Sequence, residues 1–97
     1  MNVLLVEDDV GIARFIERGL TLEGMRVQWT ATGEEAMAFL RSYQYDAIIL
    51  DLMLPDMDGR DICKTARGQG ITTPIKFPDA PDANCALPSN KFTCQPH

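Results

Sequence analysis

Two short stretches, residues 3–6 (VLLV) and 47–50 (AIIL), are apolar without a break, and both run straight into carboxylates. A run of four apolar residues lacks the two-residue alternation of a half-exposed strand and is too short for a helix. Each is therefore expected to be a strand buried on both faces, the arrangement of a parallel sheet. The acids that end them, Glu7-Asp8-Asp9 and Asp51, are expensive to take out of water unless something compensates their charge.

Between and after these strands the apolar spacing changes to that of a helix. Ile12, Ile16 and Leu20, with Ala13 and Phe15 alongside, predict a buried helical face, with Arg14, Glu17 and Arg18 turned outward and Gly24 as the stop. Residues 25–30 read as a second strand. Thr32-Gly33-Glu34-Glu35 has the form of a capping box, a Thr followed three residues later by a Glu, opening a helix whose apolar face is Ala36, Met37, Leu40 and Tyr43. A third helix over 59–67 turns Ile62 and Ala66 inward and ends at Gly68 and Gly70, and Thr73-Pro74-Ile75 leads into a fourth strand. Strands alternating with helices imply a parallel sheet covered on both faces by right-handed crossovers.

The character changes near residue 78. Residues 76–97 hold four of the chain's six prolines, and no helical or alternating pattern spans them. The expected organisation is one unit over 1–77 and an irregular, divergent tail over 78–97. A length of 97 residues suits one small domain. The net charge of −5 argues against nucleic acid or an anionic membrane as a direct partner of this segment. The start, MNVLLVEDD, lacks a basic leader, and no apolar run approaches bilayer length, so a cytoplasmic location is expected. Cys63, Cys85 and Cys94 form neither a C-x-x-C pair nor an even set, which reads as stray reduced thiols.

Open parallel sheets bind ligands beyond the carboxyl ends of their strands. If the first and third strands are neighbours, Glu7, Asp8 and Asp51 converge there. Three carboxylates repel one another, and a hard cation such as Mg²⁺ resolves the conflict with oxygen ligands. One carboxylate can then serve as a nucleophile toward a phosphoryl group. Asp56, Asp58 and Asp61 do not fit a calcium loop, because Gly59 follows Asp58 directly where an EF-hand needs its glycine at the sixth position and a glutamate at the twelfth. Asp58 reads better as a helix cap. Met53 stands where an aspartate-nucleophile phosphatase would carry its second acid. Trp29 is expected to pack at a strand edge.

The pair VLLVEDD and DAIILDLMLPDMDG resembles the receiver domain of bacterial two-component response regulators, most closely those of winged-helix transcription factors, over residues 1–75. The resemblance implies a flavodoxin-like α/β fold, strand order 2-1-3-4 in this chain, with no fifth strand. It implies a signalling module that assists only its own phosphoryl transfer and is not an enzyme on other substrates. Asp51 would be the phosphoacceptor, with a sensor histidine kinase as donor. Glu7, Asp8, Asp51 and the main-chain carbonyl of Met53 would hold Mg²⁺, Asp8 directly and Glu7 through water. Pro55 and Gly59 match residues that shape the turn into the third helix. A homodimer or a full-length regulator is a further candidate partner.

The resemblance also implies a Thr or Ser at the end of strand four and a Lys before a proline on strand five, both contacting phosphate. In ungapped register Asp79 takes the place of the hydroxyl, Lys91 precedes Phe92, and the chain ends at His97 before a fifth strand. On that reading strand four is left as a sheet edge and independent stability is marginal. A non-phosphorylated decoy or interaction fragment, or a non-functional product of a disrupted regulator gene, is the alternative function.

Overall fold

Hydrophobic runs and helix signals resolve into alternating elements: β1 (Asn2–Val6), α1 (Val10–Leu22), β2 (Arg26–Thr30), α2 (Gly33–Ser42), β3 (Ala47–Leu50), α3 (Gly59–Gly68) and β4 (Ile75–Lys76). The computed structural model describes residues 1–78. The four strands form one parallel sheet in the order β2-β1-β3-β4, the order that the resemblance to receiver domains implies. The tail beyond residue 78, Asp79 included, and any further strand lie outside the described residues. No helix among the described residues is long and apolar enough to cross a membrane.

The alternation of each strand sorts its side chains between two layers. Leu4 and Val6 of β1 and Ile48 and Leu50 of β3 pack with Ala36, Met37 and Leu40 of α2 and Ile62, Cys63 and Ala66 of α3. Leu4, Ile48 and Leu50 are wholly buried there. On the opposite face Val3 and Leu5 are buried on the side that α1 covers. That layer is thinner than the sequence suggested. Ala13 is the fully buried residue of α1, Ile16 and Leu20 are half-buried, and Ile12 and Phe15 stand 43% and 80% exposed. Ile49 is only half-buried although its strand is central. Tyr43 likewise leaves the inward face assigned to it, since the helix stops at Ser42 and Tyr43 caps it, 61% exposed. Cys63 is disulfide-bonded, so the reading of three stray thiols fails at that position.

The helix ends show how local sequence fixes the chain's path. Thr32 caps α2, its hydroxyl accepting from the Glu35 N–H at 3.2 Å. The reciprocal half of the capping box is not made, because Glu35 instead accepts from the Thr30 hydroxyl at 2.6 Å. Asp9 caps α1 and Asp58 caps α3. Helix α1 ends in a Schellman motif: Gly24 has φ 85°, its N–H donates to Thr21, and the Met25 N–H donates to Leu20. Gly70, φ 84°, ends α3 in the same way.

A paired substitution separates backbone conformation from packing, because a Cβ on either Gly19 or Gly24 would meet nothing within 4 Å. Gly19 lies inside α1, so Gly19→Ala is expected to stabilise the protein by about 0.5–1 kcal/mol. Gly24 sits in the left-handed region, so Gly24→Ala is expected to cost about 1–2 kcal/mol. Urea unfolding of the two variants checks the opposite signs.

Candidate functional site

Strand pairing assembles the site. The β1–β3 register matches Val6 with Leu50, so the next residue of each strand, Glu7 and Asp51, leaves the sheet side by side. The Asp51 N–H donates to the Val6 carbonyl at 3.0 Å, extending the ladder by one bond. On the other side of β1 the Glu7 N–H donates to the Thr30 carbonyl at 3.0 Å. Glu7 and Asp51 are buried, 2% and 7% exposed, while Asp8 is open to solvent. One carboxylate oxygen from each of the three lies within 4.8 Å of the other two.

Neighbouring groups hold these acids in place. Glu7 Oε2 accepts from the Asp9 N–H at 3.2 Å, and Asp51 Oδ1 accepts from the Met53 N–H at 3.1 Å. The Trp29 indole donates to the main-chain carbonyl of Glu7 at 2.8 Å. Trp29 does lie on an edge strand, half-buried, as the sequence suggested, but it also supports the site, which no local pattern announced. Met53 follows Asp51 by two residues and its side chain is 83% exposed, so only its main chain is directed at the acids.

The turn into α3 depends on Gly59. A Cβ there would stand 2.5 Å from the Asp51 carbonyl oxygen and 3.0 Å from Leu52 Cα, both main-chain atoms with little freedom to move. Its N–H donates to the Leu52 carbonyl at 2.8 Å. Asp56, Asp58 and Asp61 do not join the cluster. Asp58 accepts from the Arg60 N–H at 2.8 Å as the α3 cap, and its exposed ion pair with Arg60 at 3.7 Å adds little. Asp61 lies in the first turn of α3, where the helix dipole favours an acid. Asp56, to which the sequence assigned no role, accepts from the Gly33 and Glu34 N–H groups at 2.8 and 2.9 Å. The bonds from Gly33 and then Glu34 hold its carboxyl below the ordinary value of 3.8. With a lowered value in the folded chain, this contribution is complete above the ordinary value and is lost as pH falls through the lowered one.

The donor set suits a hard divalent cation: three carboxylates, two of them nearly removed from water, gathered at a sheet end open to solvent on the Asp8 side. Like charges brought this close oppose one another, and burial adds to the cost. Asp51→Asn keeps an oxygen for the Met53 N–H and removes one charge. It is expected to raise the stability of the chelator-treated protein by about 1 kcal/mol at neutral pH, read by urea unfolding.

Comparison with known proteins places this geometry among relatives. Residues 3–82 match the family described as the response regulator receiver domain. The chain is 39% identical over 102 aligned positions to the transcriptional regulatory protein QseB of Escherichia coli O157:H7, an alignment covering 99% of this chain and 47% of that protein. It is 49% identical over 75 residues to the cell cycle transcriptional regulator CtrA of Caulobacter vibrioides, covering 77% of this chain and 32% of that protein. The chain thus spans less than half the length of these curated relatives. Among solved structures, the Francisella response regulator 1452 receiver domain superposes with a TM-score of 0.76 at 34% identity, covering 78% of this chain and 63% of that one. The response regulator TrrA from Thermotoga maritima, solved in complex with Mg²⁺ and BeF, superposes with a TM-score of 0.75 at 28% identity, covering 78% of this chain and 66% of that one.

Proposed function

The chain belongs to the response regulator receiver family, and from that premise we propose that it accepts a phosphoryl group on Asp51 in an Mg²⁺-dependent phosphorelay. The reading is carried by one observation: Glu7, Asp8 and Asp51 converge beyond the ends of two adjacent parallel strands. In this reading Glu7, Asp8, Asp51 and the main-chain carbonyl of Met53 hold the ion. When bound, Mg²⁺ neutralises the acids and the charge on the transferring phosphoryl oxygens.

The protein's own part is to present a nucleophile. A carboxylate oxygen of Asp51 attacks the phosphorus of a phosphohistidine on a sensor kinase. The P–N bond breaks, its electron pair stays on the imidazole nitrogen, and an acyl phosphate forms on Asp51. The Met53 N–H bonded to Asp51 Oδ1 at 3.1 Å orients the carboxylate. Burial of Asp51 and Glu7 limits competing water and strengthens the electrostatics of the site.

The donor is a sensor histidine kinase, with a second copy or a full-length regulator as further partners, and the work is done in the cytoplasm. The receiver promotes transfer to and hydrolysis from its own aspartate and acts on no other substrate. Incubation with acetyl phosphate and Mg²⁺ is expected to add one phosphoryl group by intact mass, and Asp51→Asn or a chelator is expected to abolish it. A wild-type chain that gains no mass overturns the phosphoacceptor reading.

A further inference from the structure

The loop over residues 52–58 leaves directly from Asp51 and carries Met53. Its base is closed by the Gly59 N–H on the Leu52 carbonyl and by an antiparallel bridge between Met53 and Asp58. Its tip is fastened elsewhere. One carboxylate, Asp56, spans the first two amides of α2, Oδ1 on Gly33 at 2.8 Å and Oδ2 on Glu34 at 2.9 Å. Thr32 takes the next amide, that of Glu35, so the first turn of α2 is satisfied by two side chains, one local and one 22–23 residues away. Beside this contact Met57 lies so close to Gly33 that a Cβ on Gly33 would collide with Met57 Cγ and Sδ. The loop tip is therefore docked by a charged bond pair and by a close contact of the Met57 side chain on Gly33.

We propose that Asp56 is a positioning residue for the acidic site: by fastening the loop tip to α2, it fixes the main chain of Met53 relative to Asp51. The inference rests on the reading of Glu7, Asp8, Asp51 and Met53 as the metal cradle. Asp56 is not among the three clustered acids and acts through the loop. A loop closed only at its base retains freedom at its tip, and that freedom is transmitted to a backbone ligand only two residues from the nucleophile. Losing a group that orients a metal ligand typically costs about 10–100-fold in metal affinity.

The competing account is that Asp56 merely caps α2. Thr32 separates the two, because it caps the same helix end through a hydroxyl that accepts from the Glu35 N–H. In the full chain, Mg²⁺ binding is followed by Trp29 emission, which reports on the Glu7 main chain, and by the Mg²⁺-induced rise in unfolding midpoint. Asp56→Ala is expected to weaken Mg²⁺ binding about 10-fold. Asp56→Asn, which keeps one acceptor oxygen, is expected to fall between it and wild type and serves if the alanine variant does not fold. Thr32→Ala is expected to lose stability but bind Mg²⁺ as wild type does. Hydrogen exchange without metal is expected to speed up at Gly33, Glu34 and Met53 in Asp56→Ala, while Thr32→Ala leaves Met53 protected. Wild-type Mg²⁺ affinity in both Asp56 variants, or equal weakening in Thr32→Ala, overturns the positioning role while the metal reading stands. A wild-type chain that gives neither signal with Mg²⁺, or an Asp51→Asn chain that responds as wild type does, overturns the metal reading itself and the role of Asp56 with it.

Discussion

The parallel pairing of β1 with β3 is the constraint on which the rest depends. Its last matched pair, Val6 and Leu50, sets two buried carboxylates side by side one residue later. That juxtaposition is unfavourable in itself, since both desolvation and like charge oppose it. It persists because the strands are held by core residues that no register shift could keep buried: Leu4, Val6, Ile48 and Leu50 against α2 and α3. The packing of the sheet thus keeps the three acids together.

The same end of the sheet gathers the helix starts. Helices α1, α2 and α3 each begin after a strand of the parallel sheet, so their N-termini, whose first amides lack helical partners, lie at the same end of the sheet as the acidic cluster. Acids answer those amides one by one: Asp9 on α1, Asp56 on α2 and Asp58 on α3. The acid-rich appearance of this region in the sequence therefore combines two kinds of group. Three carboxylates form the cluster, and others cap helices and pin the loop that leaves Asp51.

Much of this was legible before the fold was known. The alternation of strands and helices and the caps Thr32 and Asp58 follow from apolar runs and short-range motifs, whose physics is local, while the strand order that brings Glu7, Asp8 and Asp51 together was implied only by the resemblance to receiver domains. The misreadings share a cause. Phe15 and Tyr43 were placed inward by helical spacing, but spacing gives only which residues share a face, and burial requires a neighbour on that face. The Glu35 carboxylate left its capping-box partner because the Thr30 hydroxyl, at the end of the adjacent strand, was nearer its reach.

By itself the sequence determined the elements, which residues share a face and the carboxylates at the strand ends, because periodicity, glycine stops and cap residues act within a few positions of one another. Only the tertiary structure decided what Asp56 and Trp29 do. Asp56 meets the amides of Gly33 and Glu34, and Trp29 meets the carbonyl of Glu7, across 22 or more residues. Such contacts exist only once the sheet has brought β1, β2 and the loop after β3 to one end, and no local pattern encodes that distance.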